Sequence, residues 1–483
     1  MVPAKGVLEE LKNLEQVMDG KVLWSWSDDG SAFQKAHHVW AEQACLTSPL
    51  AVVVPAHEAD VQQALMVLIK LHSESGTNWS IKSGGHSYIG TSSCGPGGIV
   101  LSLEDLNSLS FDPNTNMASF GPGVLMEDIL QIFVQYHHAT PVLGTCPGLG
   151  AGGFFLGGGI GPLSRLMGIG CDNIVALDAV LANGALVHIN DYNYQDLFWA
   201  LKGAGTAGLA IVTKFYYQMR PFQDVQLIAN GIIPISQAAL FCKNWIDRDI
   251  YNKISLQAYP QLNGCFSLEP DGFPLVLSWA STDDADLVEG RAYIESLMSE
   301  LLPLHKVDMT YHNISWTQYT KNLGNLGGNY VQAWNGYLMK EQNSEEIWHH
   351  LVNSIVEVTS GSDYVIFDTW AMGGAISQKR PDANSFFYRD AVWFISLILM
   401  VPTTESTGVF ASEVNRVNRA WAQDFSPYLT GAYPNIQMAS LKTVEEYGPM
   451  YWGENFRRLV EIKRKYDPNN VFQHQQSIPT TFF

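Results

Sequence analysis

Apolar positions change their period along the chain, and each change marks an element. In SPLAVVVPAHEADVQQALMVLIKLH (residues 48–72), Val52 to Val54 form a short continuous apolar run. The helix opens at Ala56 to Asp60, after which apolar residues return at helical spacing, so the stretch predicts strand, turn and amphipathic helix. NWSIKSGGHSYIG (78–90) predicts a second strand running into a glycine turn. GGIVLSLEDLNSLSFDPNTNMASFGPG (97–123) alternates like paired strands joined by a turn at Asp112-Pro113-Asn114. The first hundred or so residues therefore predict a small α/β unit.

Residues 140–215 carry a glycine-dense segment, then strand patterns in NIVALDAVLANGALVHI with a hairpin turn at Asn183-Gly184-Ala185. DLFWALKGAGTAGLAIVTKF (196–215) follows, helical in its first part and strand-like in its last. From about residue 220 the texture shifts. VQLIANGIIPI, PLVLSWAST and DYVIFDTWAMGGAIS alternate apolar and polar, with helical segments between them. This predicts a second domain built on an antiparallel sheet with helices, and an α+β chain overall. A helix is expected from about 412, and a basic helix near the end stops at Asp467-Pro468.

Bulk composition narrows the picture. The 483 residues, 46% hydrophobic, exceed one ordinary domain and contain no internal repeat. A net charge of −19 with scattered Lys and Arg argues against nucleic-acid and anionic-membrane partners. No run approaches the roughly 20 apolar residues of a membrane span. The charged, helix-like start lacks the apolar core of a signal peptide, so the expectation is an intracellular protein or a secreted one whose leader has been removed. Asn78 and Asn313 head sequons that matter only in the secreted case. The six cysteines lie far apart with no CxxC, which argues against zinc; free buried thiols and one or two disulfides both fit.

Candidate chemistry lies in the glycines. GTCPGLGAGGFFLGGGIG (144–161) is half glycine, with Cys146 near its start. So much bare backbone costs entropy and needs a reason. Two GxGxxG matches, at 148–153 and 203–208, fail as dinucleotide fingerprints, because that motif must follow a strand and open a helix. KSGGHS (82–87) instead puts two glycines and His86 at a strand end, where exposed N–H groups form a nest for phosphate. Alone, His86 reads as a loop histidine and Cys146 as a packed thiol. The pair, one in each of two glycine loops, is a rarer combination.

Four separated blocks, IKSGGHSY, the run from Gly144 to Gly184, DLFWALKGAGTAGLAIVT and the ending YWGENFRRLVEIKRKYDPNNVFQHQQSIP, occur in an order that resembles the berberine-bridge-enzyme-like FAD-linked oxidases of the vanillyl-alcohol-oxidase superfamily, fungal secondary-metabolism members in particular. The resemblance implies a PCMH-type FAD-binding domain of two α/β subdomains (1–220), completed by a C-terminal return (412–483), and a substrate domain (221–411) on an antiparallel sheet covered by helices. It implies FAD held by two bonds, His86 to the flavin 8α-methyl and Cys146 to flavin C6, with O2 as electron acceptor. Lys82, Ser83, Gly84, Gly85, Ser87 and Tyr88 would line one side of the cofactor, and Gly150, Gly152, Gly153, Gly158 and Gly159 the other. Asp172, Asn173, Ile211 and Val212 would flank its ends, although Ala210 stands where the family usually has glycine.

The chain also departs from the family. The Tyr-x-Asn-Tyr pattern, whose second Tyr is the base in many members, is read at Tyr428 to Gly431, which leaves glycine at the base position. Asp368, Tyr388 (beside Arg389) and Tyr433 are the remaining catalytic candidates. A Trp- and Met-rich substrate region points to a largely apolar small molecule, a secondary-metabolite alcohol or amine, oxidised by a monomer without membrane or nucleic-acid partners. Two alternatives stand beside this: a cyclase or isomerase on the same scaffold, and a non-catalytic binding protein.

Overall fold

The computed structural model describes residues 5–27, 30–41, 47–134, 137–222, 224–248, 261–267, 272–281, 284–323, 330–340, 344–402, 405 and 407–482. Cys45 lies outside them.

Three main sheets follow one another along the chain. The first has four strands in the order Lys21–Trp24, Ala51–Val54, Ile99–Ser102, Trp79–Lys82. Its two central strands are buried at every position, as their unbroken apolar runs require, and they pair in parallel. Parallel pairing needs a crossover, and the helix Glu58–Ser75 supplies it. That helix ends at Gly76, whose φ of 66° is the left-handed conformation glycine adopts freely.

The second sheet is antiparallel, in the order Leu109–Asp112, Met117–Phe120, Ile211–Gln218, Ile174–Val180, Leu186–Asn190. The glycine-dense segment loops out between its second and fourth strands in the order just given. That segment forms only one short helix of its own, Ala151–Leu156.

The third sheet has eight antiparallel strands: Thr310–Ile314, Gln226–Ile233, Phe273–Ala280, Leu262–Ser267, Val365–Ala371, Trp393–Pro402, Tyr330–Met339 and Leu429–Ala432. The Val365–Ala371 strand alternates strictly, with Val365, Phe367 and Thr369 buried. Helices Ile235–Ile246, Asp284–Leu301 and Glu345–Ser360 cover the outer face. Ile366, Asp368 and Trp370 are left on the inner face, turned toward the first two sheets.

The helix expected from 412 begins at Thr407 and packs against the Trp393–Pro402 strand. Leu429–Ala432 then closes the large sheet. The substrate-side sheet therefore draws residues from both sides of position 412. No described helix is long and apolar enough to cross a membrane.

Candidate active site

Between the inner face of the large sheet and the two smaller sheets lies a cavity of about 970 Å³. That is the upper end of the ~300–1,000 Å³ span of ligand sites. One wall is a tile of alternate residues from three strands. Register pairs Cys265 with Trp370, Ser267 and Ser396 with Asp368, Trp370 with Phe394, and Ile366 with Ile398. Side chains alternate across a strand, so this register puts all eight on one face, and all eight line the cavity.

The opposite wall is made by the two glycine loops. The Trp79–Lys82 strand delivers Ser83, whose hydroxyl donates to the Pro122 carbonyl at 2.6 Å. Gly84 then meets Gly150 backbone to backbone. A Cβ on either residue would overlap the other's main chain. Much of the glycine in 144–161 answers such contacts within the protein: Gly157 abuts the Asn435 side chain, and Gly161 the Leu143 carbonyl. Gly153 differs, since it lines the cavity and a Cβ there would meet no protein atom.

His86 is a half-buried part of this wall, with both ring nitrogens shut away from solvent. Its ring stacks on Trp40, with centroids 4.2 Å apart and planes 17° apart, and Tyr88 presents an edge at 5.5 Å. Neither ring nitrogen has a hydrogen-bond partner among the described residues. Burial lowers its pKa to about 4, so the imidazole is neutral and one nitrogen carries a free lone pair. Cys146 lines the same cavity, its thiol pushed up to about 11 by burial. The hydroxyls of Ser92 and Ser93 also line it, buried and unpartnered. Buried polar groups are normally satisfied. A cluster of orphans around one cavity fits a bound group that satisfies them. No Lys or Arg lines the cavity among the described residues, so a pyrophosphate there would be met by hydroxyls and backbone N–H groups.

Ser83 to Tyr88, Cys146, Gly150, Gly152, Gly153, Ile211 and Val212 all line the cavity. Five other expected cofactor residues do not. The Lys82 ammonium lies behind Gly85 and pairs with Glu104 at 3.3 Å. Asp172 is committed to a buried bidentate pair with Arg389, both contacts 2.8 Å, and accepts from Asn384 as well. Asn173 donates to the Met167 carbonyl. Gly158 and Gly159 pack against the 170–171 turn.

The catalytic candidates separate in the same way. Tyr388 does not line the cavity: its hydroxyl donates to the Pro449 carbonyl, and its ring fills the space beside Gly431. Tyr433 lines it, but its oxygen accepts from Gly159 N at 3.0 Å, Ile160 N at 2.9 Å and Asn435 Nδ2 at 3.0 Å. Three donors fill all the lone pairs that its phenolate would have and leave none for a substrate proton, and burial pushes its pKa up to about 12 despite them. Asp368 faces the cavity. Its Oδ1 accepts from Cys265 Sγ at 3.1 Å and its Oδ2 from Trp370 Nε1 at 2.9 Å. Burial raises its pKa to about 6, against the pull of those two bonds and of the Thr369 backbone N–H.

The Tyr-x-Asn pattern also needs its register corrected. Tyr428, Thr430 and Gly431 lie away from the cavity, whereas Tyr433, Pro434, Asn435 and Ile436 line it. The pattern sits at 433–436, and its fourth position is Ile436. The surrounding strand pairing hid this, because Tyr428 and Tyr433 are both plausible anchors in one dimension. Sequence reasoning also missed Thr91 to Ser93, Cys265, Gln437 and the 471–475 tail. A hydroxyl-rich TSSC directly after the His86 loop was the available signal for the first of these.

Residues 49–190 match the family described as FAD binding domain, and 432–479 the family Berberine and berberine like. The second match begins beside Tyr433, in agreement with the corrected register. The chain is 26% identical over 445 residues to an uncharacterized FAD-linked oxidoreductase, YvdP, of Bacillus subtilis, covering 89% of this chain and 92% of that one. It is 25% identical over 505 residues to a xylooligosaccharide oxidase of Thermothelomyces thermophilus, covering 97% and 93%. Its fold superposes with a TM-score of 0.85 on the glucooligosaccharide oxidase of Acremonium strictum, whose FAD is 6-S-cysteinyl and 8α-N1-histidyl; identity is 20%, and coverage 98% and 100%. The architecture is the PCMH-type FAD-binding fold with an antiparallel substrate-side sheet.

Proposed function

We propose that this FAD-linked oxidoreductase belongs with the berberine-bridge-enzyme-like members of its superfamily and oxidises a small, largely apolar alcohol or amine, with O2 as the final acceptor. FAD, when bound, supplies the two-electron acceptor. His86 and Cys146 would hold it through two bonds, as in the Acremonium enzyme. The free nitrogen of neutral His86 and the cavity-facing thiol of Cys146 support this reading.

The observation that carries the catalytic assignment is Asp368. It is the sole carboxylate among the described cavity-lining residues, and its raised pKa suits proton uptake near neutral pH. Asp368 would take the proton from the substrate's O–H or N–H as the hydride departs. Ile366, Trp370, Phe394, Ile398 and Ile436 around it exclude water and favour an apolar skeleton.

The test is an anaerobic stopped-flow titration of the purified yellow protein with a panel of apolar alcohols and amines. Substrate-dependent bleaching of flavin absorbance, followed by reoxidation and H2O2 on admitting O2, is expected. Turnover without bleaching under strict anaerobiosis would replace the oxidase by a redox-neutral cyclase or isomerase.

A further inference from the structure

We propose that Cys265 is a positioning residue for Asp368: its thiol fixes the carboxylate in the cavity wall and, being a weak donor, leaves it able to accept a proton. This deepens the assignment of Asp368 as proton acceptor and rests on it.

Geometry carries the inference. Cys265 and Asp368 come from neighbouring antiparallel strands and are diagonal neighbours on the same face, with Sγ 3.1 Å from Oδ1. Trp370 Nε1 holds Oδ2 from the same strand as Asp368. Two donors on two different oxygens fix the carboxylate plane; the Thr369 backbone N–H adds a third contact, and the fourth acceptor site of the carboxylate is left for the cavity. Burial keeps the thiol protonated well above its usual range, so it acts only as a donor. S–H is the weakest donor that fits here. A hydroxyl in its place would bind the carboxylate more strongly and reduce its proton affinity. Among the described residues, a further titratable group facing the pair is Tyr319, on the helix Trp316–Leu323, itself hydrogen-bonded to Ser278. The Trp393–Pro402 strand offers only Ser396, which is not titratable.

The experiment is an infrared pH titration of the holoenzyme, following the protonated-carboxyl band that Asp368→Asn removes. Cys265→Ser should shift its midpoint down, and Cys265→Ala should shift it up, each by about one pH unit. The acid limb of the flavin-reduction rate should move with it. Opposite shifts are the signature, since a packing role would move both variants the same way. Coincident midpoints, or shifts of one sign, would overturn the proposal. Normal flavin reduction by Asp368→Asn would instead defeat the proton-acceptor assignment, while the infrared shifts would still report on Cys265.

Discussion

Gly84 and Gly150 touch backbone to backbone across the wall of the cavity, and neither has room for a methyl group. Gly84→Ala or Gly150→Ala should therefore cost about 2 kcal/mol or more, because the obstructing atoms are main chain and cannot swing away. Gly153→Ala meets no protein atom. It should fold normally yet bind less flavin, since its methyl enters the cavity. Thermal melts beside the visible flavin absorbance separate the two effects; equal losses for all three variants would contradict the contact.

The two proposed tethers can be tested separately. His86→Ala and Cys146→Ala should each retain acid-stable flavin through the remaining bond, and the double variant should release it all on acid precipitation. Because burial holds Cys146 largely as the neutral thiol, attachment through it should quicken as pH rises toward about 11. Incubating His86→Ala with FAD across that range and measuring bound flavin after precipitation checks this.

Asp368→Asn should slow flavin reduction by about 10²–10⁴-fold, the usual contribution of a positioned base. In the wild type the rate should fall below pH about 6, where the carboxyl is protonated. Stability runs the other way. The folded-state pKa is raised above the unfolded ~3.9, so the stability linked to this proton is fully present below pH ~4 and lost as pH rises through about 6. Asp368→Asn should thus melt higher than wild type at pH 8, by on the order of 2–3 kcal/mol, and the difference should vanish near pH 4.

Tyr433→Phe distinguishes a structural pin from a base. Removing the hydroxyl strands Gly159 N and Ile160 N. The expected result is a loss of about 1–3 kcal/mol in stability with flavin reduction largely kept. A loss of reduction at unchanged melting temperature would restore Tyr433 as a proton acceptor.

Asp172→Ala leaves Arg389 charged, buried and short of its partner. A fall of about 3–5 kcal/mol in unfolding free energy is expected. Flavin content per folded molecule should stay unchanged, because the pair lies off the cavity. Chemical denaturation and absorbance together measure both.

Strands at 52–54 and after 78, the helix opening at Ala56 to Asp60, the alternating strands with helices after 220 and the two loops bearing His86 and Cys146 were legible in one dimension. Each depends on neighbours close in sequence: apolar period, glycine at a strand end, a turn at Asn183-Gly184. Asp368 was legible as a carboxylate in an alternating strand. What that alternation hid was its company. Cys265 lies 103 residues away, and only the strand register sets it beside Asp368.

The glycines show the same division. Their density was plain in the sequence, and it set the backbone free to approach something. Tertiary structure decided what that was: at Gly84, Gly150, Gly157 and Gly161 the protein's own chain, at Gly153 open cavity. Tertiary structure likewise drew Asp172 away to Arg389 and turned Tyr433 onto two backbone amides. Period and composition act along the chain, so the sequence alone determined the elements and the reactive groups. Which groups share a cavity is set by packing between segments far apart, and one-residue changes of register there turn a side chain from one face to the other.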